Sequence, residues 1–211
     1  MNDYEQTIKT WDLLAQKYQD GFMDLNLYDE SYDTFCELLE KKSASILELG
    51  CGPGNITKYL LKKRPDYKIH ATDAAPSMIA LAQNNNPTAT FEVIDTRNIS
   101  ELKNKYDAIV CGFCLPYLSE TDCIKLIEDS FQLLNEYGLV YISMIEGDYS
   151  ESKLETSSDG KHSMFVHYYN EAFINNIFEK NNFSIVKIIR IPYTRGNGEQ
   201  STHLIFISRK Q

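Results

Sequence analysis

A glycine-rich stretch follows the first segment of the chain that reads as a buried strand. Ile46–Leu49 predicts that strand, and Gly50, Gly52 and Gly54 come directly behind it. A turn from a strand into a helix that lets a ligand touch the backbone needs positive φ and no Cβ, and glycine supplies both at the lowest cost. The first amides of the following helix have no partner within the helix and point back at this turn. The stretch therefore predicts a site that holds a nucleotide-like ligand through backbone contacts.

The spacing of the glycines distinguishes between classes of nucleotide site. The dinucleotide fingerprint G-x-G-x-x-G would place a glycine where this chain has Asn55, and no Gly-Lys-Ser/Thr follows as a P-loop requires. The pattern Glu48-x-Gly50-x-Gly52-x-Gly54 instead resembles motif I of the class I S-adenosylmethionine-dependent methyltransferases. A tight turn without a ligand remains the alternative for a glycine loop taken alone.

The resemblance implies a fold and a reaction. The fold is α/β: a Rossmann-like doubly wound sheet of seven strands, mostly parallel with an antiparallel C-terminal hairpin strand, and helices on both faces. S-adenosylmethionine is the implied cofactor, and its methyl group is transferred in line to an acceptor. The resemblance covers nearly the whole chain, because five β–α units precede two predicted strands, 183–191 and 202–208, joined by a turn at 195–198.

A carboxylate ends the second predicted strand. The alternating segment Tyr67–Asp73 places Asp73 about 23 residues beyond Gly50. A carboxylate there can accept two hydrogen bonds from vicinal ribose hydroxyls, because it accepts without donating. We therefore predict that Asp73 holds the ribose of the cofactor; a solvated aspartate at the strand end is the alternative.

The resemblance implies further contacts to the cofactor. It places Met78 against the adenine, Asp95 near the adenine amino group, and Tyr18, on an N-terminal helix, near the methionine end. Core packing is the alternative for Met78 and for Trp11 and Tyr18, and Arg97 either pairs with Asp95 or touches the substrate. The predicted cofactor-binding set is Tyr18, Glu48, Gly50, Gly52, Asp73, Met78, Asp95, Thr96 and Phe113.

The sequence assigns no catalytic residue. Much of methyl transfer from a sulfonium consists of alignment and exclusion of water, and proximity of that kind contributes roughly 7–11 kcal/mol. A hydroxyl acceptor would need a base, for which His162, His167 and Glu146 are candidates. We interpret His203, in the last predicted strand, as structural.

The segment behind the fourth strand bears on the acceptor. Enzymes that methylate amino groups of nucleic acids carry an Asp- or Asn-Pro-Pro-aromatic tetrad there, whereas this chain keeps only Pro116-Tyr117 and has Leu115 at the polar position. A net charge of −9 and a pI near 5.0 also repel a phosphate backbone. We expect a small-molecule methyl acceptor and no nucleic-acid or membrane partner. A nucleic-acid or protein methyltransferase, a non-enzymatic sensor of S-adenosylmethionine or S-adenosylhomocysteine and, remotely, a nicotinamide oxidoreductase are the alternatives.

Composition and cysteine content indicate a cytoplasmic globular protein. The chain is 43% hydrophobic and 24% charged, without an uninterrupted apolar stretch of transmembrane length. Its five cysteines are an odd number in mostly apolar surroundings, which favours reduced thiols. Cys111-x-x-Cys114 lacks a second ligand pair for zinc and closes a strand instead of opening a helix, so we expect small apolar fillers and no metal site.

The chain reads as a single methyltransferase domain over residues 1–211. Its predicted parts are an N-terminal helical lid at 1–43, a cofactor-binding core at 44–146, a substrate-cover loop at 147–169, and a C-terminal helix and hairpin at 170–211. Apolar periodicity predicts helices at 4–22, 29–42, 119–135 and 170–180, with Gly138 as the C-cap of the third. The polar segment 147–169 lacks a pattern, and a long loop of this kind usually serves function.

Overall fold

A computed structural model describes residues 3–156, 160, 162–195 and 198–211. Its strands are β1 (Ser45–Leu49), β2 (Lys68–Asp73), β3 (Thr90–Val93), β4 (Tyr106–Gly112), β5 (Leu134–Ile145), β6 (Lys153–Thr156), β7 (Ser163–Val166), β8 (Phe183–Thr194) and β9 (Gln200–Lys210). Its helices are α1 (Asp3–Phe22), α2 (Asp29–Leu38), α3 (Asn55–Lys63), α4 (Pro76–Asn85), α5 (Glu120–Leu133) and α6 (Glu171–Lys180).

Seven of the strands form one sheet in the order β3-β2-β1-β4-β5-β9-β8. Strands β1 to β5 are parallel, and β9 enters antiparallel between β5 and β8. The predicted doubly wound sheet with its antiparallel C-terminal hairpin is thereby confirmed. The strand order reverses between β1 and β4, and ligands of such sheets bind beyond the carboxyl ends of the strands at this point.

Alternation along the central strands places an apolar core on each face of the sheet. Leu47 and Leu49 pack with residues of α5 and α6, whereas Ile46 packs with residues of α2 and α3. All three side chains are 0% exposed. Because both faces of β1 are covered, its ends are the only parts through which it can meet a ligand.

Helix α2 is shorter than predicted. It ends at Leu38, and the amide of Leu39 closes the last turn on the carbonyl of Phe35 at 3.0 Å. Lys41 then pairs with Asp107 of β4 at 2.7 Å. The helix therefore ends four residues before the predicted end, and Lys41 lies beyond it.

The predicted helix end at Asn135 and the C-cap at Gly138 are both wrong. Leu134 already pairs with Tyr106, so β5 begins where the helix was expected to finish. Residues 135–138 form an irregularity within β5, and Tyr137 takes the left-handed conformation there with φ 61°. Position 138, at the end of this irregularity, is a glycine, because a Cβ there would lie only 2.9 Å from Cδ2 of Leu134.

The segment 147–169 is not the patternless loop that was predicted. It contains a 3₁₀ turn at Tyr149–Glu151 and an antiparallel hairpin of β6 and β7, which forms a second sheet. Positions 157–159 and 161 lie outside the described residues, as do positions 196–197 of the turn predicted at 195–198. Within the described part of the chain, none of the helices combines the length and the apolarity needed to cross a membrane.

Candidate active site

The turn between β1 and α3 has backbone angles that favour glycine. Gly50, Gly52 and Gly54 have φ of 63°, 54° and 82°. A Cβ on Gly52 would lie 3.6 Å from Cε1 of Tyr18 and 4.0 Å from Sδ of Met78. The bare backbone of the turn therefore faces two of the side chains predicted to hold the cofactor.

Asp73, at the end of β2, is tied to this turn. Its carboxylate accepts a hydrogen bond from the amide of Gly52 at 2.9 Å and another from the amide of Ala75 at 2.8 Å. Burial raises the pKa of Asp73, and the two backbone hydrogen bonds oppose that rise. The glycine turn and the start of α4 are thus fixed to one carboxylate.

The turn and Asp73 line a cavity of about 450 Å³. Eight of the nine residues predicted to bind the cofactor lie on its wall. They come from α1, α4, the end of β2 and the segments that follow β1, β3 and β4. These are Tyr18, Gly50, Gly52, Asp73, Met78, Asp95, Thr96 and Phe113. The structure brings together residues that are separated by up to 95 positions in the sequence.

We call the part of the wall formed by Gly50, Gly52, Asp73 and Asp95 the amide side. Asp95 follows β3 and is paired with Arg97, whose Nη2 donates to Oδ2 at 2.6 Å. Burial would raise the pKa of Asp95, but its hydrogen bonds from Arg97 hold that pKa below the usual value. Of the two roles predicted for Arg97, pairing with Asp95 is the one observed.

Glu48 is the one predicted residue that does not line the cavity. Its side chain is 0% exposed and lies behind the glycine turn, where Oε2 accepts a hydrogen bond from the hydroxyl of Thr57. Oε1 has no hydrogen-bond partner among the described residues. Burial raises the pKa of Glu48 to about 8, so the carboxyl is mostly protonated at neutral pH.

The opposite part of the wall consists of rings. We call it the ring side and define it by Tyr28, Phe113, Tyr193 and His203. Tyr28 precedes α2, Phe113 follows β4, Tyr193 lies near the end of β8, and His203 lies on β9 directly opposite Ile145 of β5. The ring centroids of Phe113 and Tyr193 lie 4.7 and 4.6 Å from that of His203.

His203 is held in a neutral state at the centre of the ring side. Its Nδ1 lies 2.7 Å from the hydroxyl of Tyr28, and its ring stacks on Tyr193 with an interplanar angle of 22°. Burial lowers its pKa to about 4, and the nearby charge of Arg195 acts in the same direction. The sequence led us to interpret this histidine as structural, whereas the structure also places it on the cavity wall.

The three candidate bases named from the sequence do not line this cavity. Glu146 is held by Arg190, whose Nη2 lies 2.7 Å from Oε1. His167 faces a separate cavity of about 180 Å³ and stacks on Tyr149 with a centroid distance of 5.5 Å. His162 is half-buried and absent from both walls. None of them is positioned to accept a proton inside the larger cavity.

An ion pair between Arg195 and Glu155 lies on the cavity wall beside the ring side. Arg195 donates from Nη1 to both carboxylate oxygens of Glu155, at 3.0 and 3.1 Å. Glu155 lies on β6 and also accepts a hydrogen bond from the hydroxyl of Tyr168 at 2.6 Å. The β6–β7 hairpin is thereby attached to the end of β8.

Cys111 and Cys114 carry free thiols. Cys111 is buried within β4, and Cys114 lies on the cavity wall with its Sγ 3.4 Å from the hydroxyl oxygen of Thr96. Among the described residues, no group of three or more His, Cys, Asp or Glu side chains is arranged to hold a metal ion.

Comparison with known proteins identifies the family. A family model described as a methyltransferase domain matches residues 23–188. The chain belongs to this family. It is thus a methyltransferase of the class I, S-adenosylmethionine-dependent family that the glycine motif indicated, and S-adenosylmethionine is the cofactor of that family.

Curated relatives of this methyltransferase differ in their acceptors. The tRNA N(3)-methylcytidine methyltransferase trm141 of Schizosaccharomyces pombe is 25% identical over 165 residues, which are 74% of this chain and 66% of the relative. The malonyl-[acyl-carrier protein] O-methyltransferase of Acetivibrio thermocellus is 39% identical over 93 residues, 42% of this chain and 32% of the relative. The chain spans less than two thirds of the length of both relatives.

A solved structure shares the fold of this methyltransferase over its full length. The 1,6-didemethyltoxoflavin-N1-methyltransferase of Burkholderia thailandensis superposes with a TM-score of 0.73 at 20% identity, covering 100% of this chain and 91% of that one. At this identity the likeness shows the fold alone.

The residues of the amide side were all predicted from the sequence, whereas most of those on the ring side were not. The missed lining residues include Tyr28, Tyr193, His203 and the pair Glu155–Arg195. They follow no spacing in the chain. Pairing of β9 with β5 places His203, pairing of β8 with β9 places Tyr193, and Glu155 lies on the β6–β7 hairpin. One feature of the sequence did point to the ring side: His203 is a polar ring within the mostly apolar last predicted strand.

Proposed function

We propose that this methyltransferase transfers the methyl group of S-adenosylmethionine to a small-molecule acceptor. The observation that carries the proposal is the link of 2.9 Å between Asp73 and the amide of Gly52 on the wall of the cavity. It supports a site in which unobstructed backbone and a ribose-binding carboxylate lie side by side.

The residues of the amide side fit the parts of the cofactor. Asp73 offers a carboxylate to the ribose hydroxyls, and Asp95 offers one to the adenine amino group, since both groups donate hydrogen bonds. Met78 supplies a polarisable apolar surface for the adenine ring. The bound cofactor supplies an electrophilic methyl group on a sulfonium.

Alignment and exclusion of water are the contributions we assign to the covering elements. The hydroxyl of Thr10 on α1 donates to the carbonyl of Ser163 on β7 at 3.2 Å, and Asp12 accepts from the amide of Ser77 at the start of α4 at 2.7 Å. These bonds fasten α1 to the hairpin and to the start of α4. We propose that residues 1–43 act as a lid and 147–169 as a substrate cover within a single domain over 1–211.

A small acceptor agrees with the charges around the cavity. The two arginines among its described lining residues, Arg97 and Arg195, are both paired with carboxylates and offer no free cation to a phosphate backbone. The net charge of −9 acts in the same direction. A tRNA acceptor is the second candidate, supported by similarity to the yeast tRNA methyltransferase over 74% of this chain. The five free cysteines support a cytoplasmic setting.

Calorimetry with S-adenosylhomocysteine and with NAD tests the cofactor. We expect heat of binding with the first and none with the second, and the reverse result would overturn the proposal. Transfer of labelled methyl from S-adenosylmethionine to a metabolite extract, with bulk tRNA in parallel, tests the acceptor. Label in the metabolites supports a small molecule, label in the tRNA supports the second candidate, and cofactor binding without transfer to either indicates a sensor.

A further inference from the structure

The ring side of the cavity has a chemical character that restricts what can bind there. Its four members are one phenylalanine, two tyrosines and a buried histidine. Burial raises the pKa of Tyr28 far above the ordinary value for a phenol, so its hydroxyl stays protonated. None of these four groups carries a charge at neutral pH.

The cationic side chain beside the ring side, Arg195, already has hydrogen-bond partners. Arg195 is bound to both oxygens of Glu155 at 3.0 and 3.1 Å and to the hydroxyl of Tyr168 at 3.3 Å. An anionic ligand would have to displace Glu155 from these contacts, which would break an ion pair whose side chains are 24% and 23% exposed. This part of the cavity therefore disfavours carboxylates and phosphates.

The arrangement of the rings favours a flat ligand. Tyr193 lies nearly parallel to His203 at 4.6 Å, while Phe113 meets His203 edge-on at 4.7 Å, and Phe113 also lies 5.1 Å from Tyr28. Aromatic groups gain from offset-stacked and edge-to-face contacts beyond the apolar area that they bury. A saturated ring of the same size buries similar area without those contacts.

His203 supplies the polar contact in this apolar surface. Its Nδ1 lies 2.7 Å from the hydroxyl of Tyr28, so Nε2 is the imidazole nitrogen that is left for a ligand. Nε2 of a neutral imidazole either donates or accepts one hydrogen bond, according to the tautomer that Tyr28 selects. A hydroxyl or ring nitrogen of a ligand can satisfy either form.

We infer that the acceptor of this methyltransferase is an uncharged planar aromatic molecule bearing a hydroxyl or ring nitrogen, and that Nε2 of His203 is the hydrogen-bond partner that selects it. The inference rests on the proposed function, since it assigns the acceptor of the same site. It makes His203 a specificity-determining residue and leaves the amide side to the cofactor.

Three probes of matched size test the acceptor class by calorimetry on protein saturated with S-adenosylhomocysteine. They are 2-naphthol, its carboxylate analogue 2-naphthoate and its saturated analogue 2-decalinol. We expect 2-naphthol to bind at least tenfold more tightly than either of the others. Equal or tighter binding of 2-naphthoate would overturn the uncharged class, and equal binding of 2-decalinol would overturn the planar class.

His203→Phe tests the role of the imidazole, because it keeps a ring and removes the nitrogens. We expect about tenfold weaker binding of 2-naphthol, unchanged binding of naphthalene, and unchanged binding of S-adenosylhomocysteine. His70→Phe is the matched control: Nδ1 of His70 lies 2.7 Å from the hydroxyl of Tyr106, but His70 does not line the cavity. Wild-type affinity of His203→Phe for 2-naphthol would overturn the role assigned to His203.

Different results would refute the proposed function and the acceptor class. Absence of S-adenosylhomocysteine binding would refute the proposed function. Binding of S-adenosylhomocysteine together with no preference among the three probes would refute only the acceptor class. If bulk tRNA accepts methyl while 2-naphthol fails to bind the loaded protein, the ring side serves another purpose and the inference is wrong.

Discussion

The amide side and the ring side of the cavity are built by different means. On the amide side, backbone amides and carboxylates satisfy one another, as in the contacts of Asp73 to Gly52 and Ala75 at 2.9 and 2.8 Å. On the ring side, four aromatic or imidazole rings pack against each other, and the contact between Tyr28 and His203 is the hydrogen bond at its centre. Charge is concentrated on the first side, and apolar area on the second.

The difference shows how one cavity can combine a binding site for an invariant cofactor with a surface whose choice of acceptor can change. Hydrogen bonds to a carboxylate have strict geometry, so Asp73 and the glycine turn suit a ligand that never changes, such as a cofactor. Packing of rings depends on shape and tolerates replacement by rings of similar volume. We therefore expect substitutions on the amide side to alter cofactor binding and those on the ring side to alter the choice of acceptor.

The largest effect expected from a single change on the amide side is that of Asp73→Ala. We predict about 100-fold weaker binding of S-adenosylhomocysteine, because hydrogen bonds to a charged group contribute about 1.5–3 kcal/mol each. Calorimetry measures the change, and Asp20→Ala on the exposed face of α1 serves as the control. Wild-type affinity in Asp73→Ala would show that the ribose lies elsewhere and would end the comparison between the two sides.

Glu48→Gln tests whether the carboxyl group buried behind the glycine turn is neutral in the native protein. The pKa of Glu48 is raised from 4.5 to about 8, so between these values the native state keeps a proton that the unfolded chain has lost. Stability must therefore fall as pH rises from about 4.5 to 8. The glutamine variant cannot lose that proton, and we expect it to be about 2 kcal/mol more stable than the wild type at pH 9.

Urea unfolding at pH 5, 7 and 9 measures this difference. Glu37→Gln, at an exposed position of α2, is the control and should follow the wild type. A Glu48→Gln variant whose stability falls with pH as steeply as the wild type would show that Glu48 is ionised in the native protein. The buried region behind the glycine turn would then carry one more negative charge than the structure indicates.

The contrast between the sides also explains what could be predicted from the sequence. Gly50, Gly52 and Asp73 could be proposed because each lies at or just beyond the end of a strand whose apolar pattern is plain, and turn chemistry restricts the residue type. The alternation of strands and helices, together with the family resemblance, likewise predicted the doubly wound sheet. Local patterns carried both predictions, since the determinants lie within a few residues of one another.

The ring side could not be read in this way. His203 reaches the cavity because β9 pairs with β5 in a register that sets it opposite Ile145, and register between distant strands is not encoded locally. Glu155 lies on a hairpin of two four-residue strands, too short for a periodic signal. Glu48 illustrates the converse, because its motif is local but its burial behind the turn depends on the packing of Thr57 in α3.

Gly52→Ala probes the amide side without removing a charge. The φ of Gly52, 54°, is costly for alanine, and the new Cβ would lie 3.6 Å from Tyr18, in the space where we propose that the cofactor meets the backbone. We expect about tenfold weaker binding of S-adenosylhomocysteine, equivalent to about 1.4 kcal/mol. Gly21→Ala on α1 is the matched control, because its Cβ would meet nothing within 4 Å. Unaltered affinity in Gly52→Ala would mean that the cofactor does not approach this turn.

The smallest predicted effect concerns the neutrality of the ring side. His203 has a pKa near 4 in the native protein against an ordinary 6.5, so between these values the unfolded chain binds a proton that the native state refuses. Stability must fall as pH drops through this window, by at most about 1.4 kcal/mol per pH unit. The groups that face the imidazole are the hydroxyl of Tyr28, the ring of Tyr193 and the charge of Arg195, and only the last of these is ionised near neutral pH.

His203→Phe removes the group whose proton uptake on unfolding makes stability depend on pH in this window. Between pH 6.5 and 5 we expect the variant to lose about 1 kcal/mol less stability than the wild type, measured by urea unfolding at both pH values. His70→Phe should keep the wild-type loss, because it leaves His203 in place. Equal losses in the wild type and in His203→Phe would mean that His203 takes up its proton equally in the native and unfolded states. The ring side would then carry a positive charge at mildly acidic pH, and carboxylate acceptors would gain the partner that a neutral imidazole denies them.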